Sequence, residues 1–257
     1  MKKKFGQNFL INQNIINQIL DIAQINNKSI VYEIGPGNGA LTREIIVRNP
    51  KQFLAVEIDN SLKKNLDYLF NKDNHKIIFS DALSFDETIF FKKNALIIGN
   101  LPYNISLKLL TKWIYQLRHT AWFNQMILMF QKEVADRIIA QENSKKFGRI
   151  TLLVSAFFEV TKILDVDRTN FYPSPKVDSS ILNFKILKNS NFDINNINKL
   201  EYLTKNLFSN RRKKIKNKIK FLFNEEIIKK YKLDNYYDLR AENLKKQTIF
   251  FLAKLLE

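Results

Sequence analysis

Four consecutive residues after an apolar run, Asn100-Leu101-Pro102-Tyr103, have the groups needed to hold a flat ring that bears an amine. The Asn100 side-chain oxygen and the Leu101 carbonyl are two acceptors for the hydrogens of such an amine. Pro102 restricts the backbone that positions both acceptors, and Tyr103 offers a face for stacking, worth about 1–3 kcal/mol per base. We predict that these four residues form a catalytic group whose main contribution to the reaction is to position the amine. As an isolated tetrapeptide, the motif is equally compatible with a turn that ends a strand.

A second group of residues is suited to a nucleoside cofactor. Gly35 and Gly37 lie in the turn "GPGNG", where glycine lets the backbone approach a ligand closely. Glu57 follows twenty residues after Gly37, the place of an acidic residue that binds ribose hydroxyls. Asp81 offers an acceptor for an adenine amine, and the N–H of Ala82 can face the ring. The turn has no phosphate-binding lysine, so S-adenosylmethionine, a nucleoside with an amino-acid tail, fits best.

Alternating strands and helices are predicted to position these groups. Apolar runs predict strands over 29–35, 53–59, 76–82, 95–100 and 125–130. Helical periodicity predicts helices over 11–26, 39–48, 60–70, 105–118 and 131–141. This alternation indicates βαβ units and a parallel sheet, an α/β fold with ligands at the carboxyl ends of the strands.

The chain changes character after Leu187. A helix over 148–158, strands over 159–166 and 179–187, and a rigid proline loop over 171–178 complete the first domain, 1–187. A polar linker follows, and residues 188–257 predict helices only. We therefore expect a second, small and basic helical domain over 188–257.

Composition restricts the chemistry. The chain has 257 residues, no cysteine and two histidines, which excludes disulfides and thiolate nucleophiles and makes a metal site unexpected. No apolar run reaches the roughly 18 residues of a membrane helix, and no signal-peptide pattern is present. The net charge is +17, which favours a nucleic-acid partner, although a bias toward Lys and Asn codons would also raise it.

The positive charge is concentrated near the C-terminus. Residues 188–257 contain 17 Lys and Arg against 8 Asp and Glu. Within them, "NRRKKIKNKIK" predicts a phosphate-binding helix over 210–220, and its first basic residues are our candidate RNA contacts: Arg211, Arg212, Lys213 and Lys214. A solvated lysine-rich face is the alternative interpretation.

The proline loop "FYPSPKVD" supplies a candidate for the second face of the target base. Phe171, or its neighbour Tyr172, is placed to close that face, with Phe171 as our first choice. The alternative is that both are ordinary core aromatics beneath a loop.

Together these motifs resemble the ribosomal RNA adenine dimethyltransferase family, closest to its bacterial small-subunit branch. The resemblance extends over almost the whole chain: "FGQNFL" (5–10), "EIGPGNGALT" (33–42), "VEID" (56–59), "DAL" (81–83), "NLPYNIS" (100–106), "QKEVADRI" (131–138), "FYPSPKVDSS" (171–180), "NRRKKIKN" (210–217) and "LRAENL" (239–244). Two departures are Leu107-Lys108, where the family often has Thr-Pro, and Ser174, where proline is common.

The resemblance implies an α/β, Rossmann-like class I methyltransferase sheet with a small all-helical C-terminal domain, and it also implies a function and further site residues. It implies that Asn8 and Leu10 line the cofactor pocket, and that Asn100 serves both cofactor and target. The implied reaction is N6,N6-dimethylation of two adjacent adenosines near the 3′ end of small-subunit rRNA, with a role in subunit maturation. The implied setting is a cytoplasmic monomer acting on an immature subunit.

Three other functions remain open from the sequence. The macrolide-resistance branch of the same family acts on large-subunit RNA. DNA adenine methylation is a weaker alternative, because those enzymes more often have aspartate at position 100. A non-catalytic assembly or transcription factor on the same fold is the alternative from another class, and the intact Asn-Leu-Pro-Tyr motif argues against it.

Overall fold

A computed structural model describes residues 7–256. Phe5 and Gly6, the first two residues of the "FGQNFL" motif, lie outside the described residues. The strands are β1 (Phe9–Leu10), β2 (Ile30–Ile34), β3 (Gln52–Glu57), β4 (His75–Phe79), β5 (Ala95–Asn100), β6 (Phe123–Gln131), β7 (Phe158–Val166), β8 (Phe171–Tyr172) and β9 (Ser179–Ile186). The helices are α1 (Gln13–Ala23), α2 (Ala40–Val47), α3 (Lys63–Leu66), α4 (Ser106–Gln116), α5 (Lys132–Ile138), α6 (Arg149–Phe157), α7 (Ile197–Leu207), α8 (Lys216–Leu222), α9 (Glu225–Lys230) and α10 (Lys246–Leu255).

A seven-stranded sheet has the order β4-β3-β2-β5-β6-β9-β7. The first five strands of this order are parallel, and β9 is antiparallel to β6. Strand order reverses between β2 and β5, so the carboxyl ends of β2, β3, β4 and β5 border one crevice, the usual ligand site of an open α/β sheet. A separate pair joins β1 to β8, with Phe9 opposite Tyr172 and Leu10 opposite Phe171.

Both faces of the central strand β2 are buried, as its run of apolar residues predicts. Val31 belongs to a core cluster that includes Ile16 and Leu20 of α1. Tyr32 points to the opposite face and lies among aromatic rings, 5.5 Å from Phe91 between ring centres. Because side chains alternate along a strand, this one segment anchors a helical layer on each side of the sheet.

The chain divides into two compact units, and the boundary differs from the one predicted at 187/188. The first unit runs to Ala135 and includes Val160–Lys185, whereas the second combines Asp136–Glu159 with the residues from Ile186 onward. Contacts between residues far apart in sequence explain the difference. The ring centres of Phe147 and Phe208 lie 6.2 Å apart, and the backbone N–H of Asn143 donates to the Glu242 carbonyl at 2.8 Å.

Four local predictions need correction. The helix predicted over 60–70 is broken into two 3₁₀ turns around the short α3. The strand predicted over 76–82 ends at Phe79. The proline loop over 171–178 begins with the short strand β8, and residues 210–214 form a turn that precedes α8. The other predicted strands and helices of the first unit lie within two or three residues of their predicted bounds.

Candidate active site

A cleft opens at the carboxyl edge of the sheet. Its empty space, including the open mouth, is about 700 Å³. Its walls include ten of the eleven residues predicted for the cofactor and the catalytic group, the exception being Leu10: Asn8, Gly35, Gly37, Glu57, Asp81, Ala82, Asn100, Leu101, Pro102 and Tyr103. The topology thus brings together motifs that are up to 95 residues apart in the sequence.

The glycine turn after β2 requires glycine for two separate reasons. Gly35 and Gly37 have φ of +65° and +59°, in the left-handed region that residues with a side chain rarely adopt. A Cβ on Gly37 would also lie 2.7 Å from Cε1 of Phe9. The turn and the N-terminal segment therefore pack against each other directly, and both line the cleft.

Glu57, at the end of β3, holds the glycine turn in place. It is buried, and its two carboxylate oxygens accept the backbone N–H of Gly37 at 3.0 Å and of Asp59 at 2.9 Å. Burial raises the pKa of Glu57, and the backbone hydrogen bonds oppose that rise. Each carboxylate oxygen has two lone pairs, so acceptor positions remain for ribose hydroxyls.

The loop after β4 presents Asp81 and Ala82 to the cleft. One carboxylate oxygen of Asp81 accepts the N–H of Leu83 at 2.9 Å, which leaves the other oxygen as an acceptor. The Asp81 carbonyl accepts the N–H of Ser84 and of Phe85, at 3.1 and 3.0 Å. Among the hydrogen bonds of residues 7–256, the N–H of Ala82 donates none, so it can donate to a ring nitrogen.

The side chain of Asn100 has one defined orientation. Its Nδ2 donates to the backbone carbonyl of Asn8 at 2.8 Å. A carbonyl oxygen only accepts, so the amide nitrogen must face Asn8, and Oδ1 is left as a free acceptor. This contact gives Asn8 a physical role that sequence reasoning alone did not identify.

The ring of Tyr103 is fixed at its hydroxyl. The Tyr103 hydroxyl and the Ser179 hydroxyl share a hydrogen bond of 2.6 Å, and Ser179 is fully buried at the start of β9. Burial raises the pKa of the Tyr103 phenol, which therefore remains protonated near neutral pH. Sequence reasoning did not select Ser179, although it stands inside the quoted "FYPSPKVDSS" motif.

A further buried carboxyl lies beneath the glycine turn, and no role was predicted for it from the sequence. Glu33, on β2, accepts a hydrogen bond from the Thr42 hydroxyl at 2.8 Å. Burial raises the pKa of Glu33 to about 8, and the nearby Glu57 carboxylate adds to this rise. At neutral pH Glu33 is therefore mainly protonated, which removes one negative charge from beneath the cleft. The sequence signal was its place as the first residue of "EIGPGNGALT".

Two predicted site residues lie elsewhere. Leu10 is 3% exposed and Phe171 is 2% exposed, and both belong to the core cluster of the first unit. Their strands pair with each other, which turns both side chains toward the core. In this structure Phe171 therefore has no free face for a target base, whereas its neighbour Tyr172 is 63% exposed.

The predicted RNA contacts are divided between two roles. Arg211 donates from Nε to Glu242 at 3.1 Å and also donates to the Phe147 carbonyl, so it ties segments of the second unit together. Arg212 and Lys213 are exposed, and so is Lys214, which pairs with Asp238 at 2.7 Å. Ile215 and Ile219 are buried, as their spacing predicted.

Among the residues that the structure describes, no group of three or more His, Asp or Glu could hold a metal ion. In the same part of the chain, no helix is long and apolar enough to span a bilayer.

The cleft fits S-adenosylmethionine. It offers a glycine cradle for close backbone approach, a buried carboxylate for the ribose, and an acceptor next to a free N–H for the adenine. A parallel sheet with this order of groups along its carboxyl edge, ending in Asn-Leu-Pro-Tyr, defines a Rossmann-like, S-adenosylmethionine-dependent amino-methyltransferase.

Comparisons with known proteins agree with this class. Residues 1–257 match the family of ribosomal RNA adenine dimethylases. Ribosomal RNA small subunit methyltransferase A of Pelagibacter ubique is 40% identical, over 100% of this chain and 97% of the relative. The protein of the same name from Mycoplasmopsis pulmonis is also 40% identical, over 98% and 97% of the two chains.

Solved structures give the same result for the fold. A dimethyladenosine transferase from Plasmodium falciparum has a TM-score of 0.77 and 29% identity, over 95% of each chain. The 23S rRNA methyltransferase ErmE has a TM-score of 0.73 over 97% of this chain and 99% of its own, and its 23% identity supports a shared fold alone. The chain belongs to the ribosomal RNA adenine dimethylase family, and it is an S-adenosylmethionine-dependent rRNA adenine methyltransferase.

Proposed function

We propose that this protein converts two adjacent adenosines near the 3′ end of small-subunit rRNA into N6,N6-dimethyladenosine. The substrate is proposed from relatives that are 40% identical over nearly their whole length and are named for the small subunit. The geometry that supports the reaction best is the hydrogen bond from Asn100 to the Asn8 carbonyl, which fixes the amide and leaves Oδ1 as an acceptor.

Two acceptors would act on the target amine. The first is Oδ1 of Asn100, and the second is the carbonyl of Leu101, which accepts no hydrogen bond among residues 7–256. The next carbonyl, that of Pro102, is already taken by the N–H groups of Ile105 and Ser106, both at 3.1 Å. Two hydrogen bonds to the amine hydrogens would draw the nitrogen toward a tetrahedral shape and aim its lone pair into the cleft.

The face of Tyr103 would hold the adenine by stacking. The Ser179 hydroxyl keeps this ring in one position, so less rotational freedom is lost when the base enters. S-adenosylmethionine supplies an electrophilic methyl group on a sulfonium. The protein's part is to hold the amine in line with that group, and such positioning accounts for a large share of catalysis when two reactants must meet.

The same residues that line the cleft would hold the cofactor. Glu57 would accept the ribose hydroxyls, and Asp81 with Ala82 would bind the adenine edge. Gly35 would allow the amino-acid tail to lie against the backbone, because it has a positive φ and open space where a side chain would project, and Gly37 would shape the turn beside it.

The exposed basic turn of the second unit would bind rRNA phosphates. Arg212, Lys213 and Lys214 are free to do so, since Lys214 makes just one exposed ion pair, which is worth little. Arg211 would contribute by holding the turn in shape through Glu242. We further propose that the protein acts as a cytoplasmic monomer on an incompletely assembled subunit, because the 3′ end of the rRNA must be accessible at the cleft.

The test is transfer of a labelled methyl group to immature small subunits, large-subunit rRNA and DNA, with the modified base mapped. We expect two dimethylated adenosines in the small-subunit rRNA and none in the other substrates. Asn100→Ala should abolish labelling, whereas Asn104→Ala, an exposed residue of the same type in the same loop, should retain it. Labelling confined to large-subunit rRNA, or equal labelling by Asn100→Ala, would reject the proposal.

A further inference from the structure

A lysine on α4 holds the loop that bears Asp81 and Ala82. The ammonium group of Lys112 donates to the Ala82 carbonyl at 2.8 Å, to the Phe85 carbonyl, and to Oε1 of Glu87 at 2.9 Å. An ammonium group has three hydrogens, so all of its donors are used. The side chain of Lys112 is 19% exposed, which places the charge at the inner side of the loop.

Glu87 fixes the lysine in turn. Its side chain is fully buried and accepts hydrogen bonds from three groups of α4: the Lys112 ammonium, Nε1 of Trp113 at 2.9 Å and Nε2 of Gln116 at 2.9 Å. A buried carboxylate with this many donors has one preferred position. Lys112 is therefore held by a fixed carboxylate on one side and contacts the loop carbonyls on the other.

The loop depends on this anchor for its shape. The turn inside it is closed through the Asp81 backbone carbonyl, which accepts from Ser84 and Phe85. Lys112 then ties down the carbonyl of Ala82, which lines the cleft and whose N–H donates no hydrogen bond among residues 7–256. A rotation of the peptide between Ala82 and Leu83 would break the contact with Lys112 and move the groups that line the cleft.

We propose that Lys112, held by Glu87, is a positioning residue that sets the adenine-binding loop and so determines selectivity for the 6-amino group of the cofactor. Neither Lys112 nor Glu87 is among the residues that line the cleft. This inference rests on the proposed function, in which Asp81 accepts the adenine amine.

The test compares two ligands in the full-length protein by calorimetry: S-adenosylhomocysteine and S-inosylhomocysteine, which has a 6-oxo group in place of the amine. The wild type should prefer the adenine form. Lys112→Met should weaken binding of that form by about tenfold, the effect of losing one charge-assisted contact that holds an acceptor, and should bring the two dissociation constants close together. Lys108→Met, which makes the same change on an exposed face of the same helix, should leave the ratio as in the wild type.

The possible outcomes separate the two proposals. A wild type with no preference would refute the adenine assignment of the proposed function, and this inference with it. A wild-type preference that persists in Lys112→Met would overturn this inference alone, even if the melting temperature falls, because a purely stabilising lysine would lower stability without changing the ratio. If Lys112→Met does not fold, Lys112→Met/Glu87→Gln removes the unpaired buried charge and should show the same loss of selectivity.

Discussion

Tyr103→Phe separates the ring of Tyr103 from its hydroxyl. The sequence alone suggested that the hydroxyl is dispensable, since stacking needs the ring face only. The structure adds the 2.6 Å hydrogen bond between this hydroxyl and Ser179, which is fully buried. The substitution therefore keeps the stacking surface but leaves a buried hydroxyl without its partner.

The magnitudes follow from these contacts. An unpaired buried hydroxyl costs about 1–3 kcal/mol of folding stability, a fall in melting temperature of roughly 2–4 °C per kcal/mol for a domain of this size. Loss of stacking in Tyr103→Ala costs about 1–3 kcal/mol in RNA binding, up to about a hundredfold. Tyr103→Phe should keep turnover within about tenfold of the wild type, because the ring that provides the stacking face stays.

The assay is a double-mutant cycle with Ser179→Ala. Thermal unfolding and turnover at saturating cofactor are measured for both single variants and for the double variant. The double variant removes both partners, so it should be more stable than the sum of the two single losses predicts. Tyr202→Phe, a change at an exposed tyrosine that does not line the cleft, serves as the control and should alter neither quantity.

Two results would refute this reasoning. If Tyr103→Phe is as inactive as Tyr103→Ala while Ser179→Ala is fully active, then the hydroxyl has a chemical role of its own. If the effects of the two single variants on stability add without coupling, then the hydrogen bond does not position the ring.

Four further changes test other parts of the site. Asn100→Ala should lower turnover at saturating cofactor by at least about a hundredfold, as for other positioned polar contacts; a smaller loss would show that the Leu101 carbonyl suffices. Asp81→Ala should weaken cofactor binding by about 1–3 kcal/mol without loss of stability, whereas Glu57→Ala should cause both losses, because two backbone N–H groups lose their acceptor; calorimetry and thermal unfolding distinguish them, and unchanged affinity in both would reject the cofactor assignment. The pKa of Glu33 is about 8 in the folded protein and about 4.5 in the unfolded chain, so the folded state binds one more proton between these pH values. The free energy of unfolding should therefore fall as the pH rises from about 4.5 to about 8, by up to roughly 1.4 kcal/mol per pH unit. Urea titrations of Glu33→Gln should show a weaker dependence on pH in this range. Replacing residues 212–214 with glutamine should reduce the steepness of the plot of log K for RNA binding against the log of the salt concentration, by up to about 0.7 per lost phosphate contact. An unchanged slope would mean that these side chains are solvated and do not contact phosphates.

The sequence determined the fold class and most of the residues around the cleft. Apolar runs of Ile, Val and Leu define the parallel strands, because a strand buried on both faces is apolar at nearly every position. The residue that follows such a run lies at the carboxyl edge, so Gly35, Glu57 and Asn100 could be placed there together. These are local patterns, which a chain displays before it folds.

Only the tertiary structure showed what holds those residues in place. Asn100 is oriented by Asn8, Tyr103 by Ser179 and Ala82 by Lys112, which are 92, 76 and 30 residues away in the sequence. A hydrogen bond between such distant groups depends on which strands and helices become neighbours and on a few tenths of an ångström, and neither is written in local spacing.

The same reason explains where the structure places two predicted contact residues. Phe171 and Arg211 have residue types suited to a base and a phosphate, and in the structure both contact other parts of the protein. Pairing of β1 with β8 turns Phe171 into the core, and Glu242 with the Phe147 carbonyl engages Nε and Nη2 of Arg211. Residue type sets what a side chain can bind, and burial and the neighbours brought by the fold decide which of those options stays open.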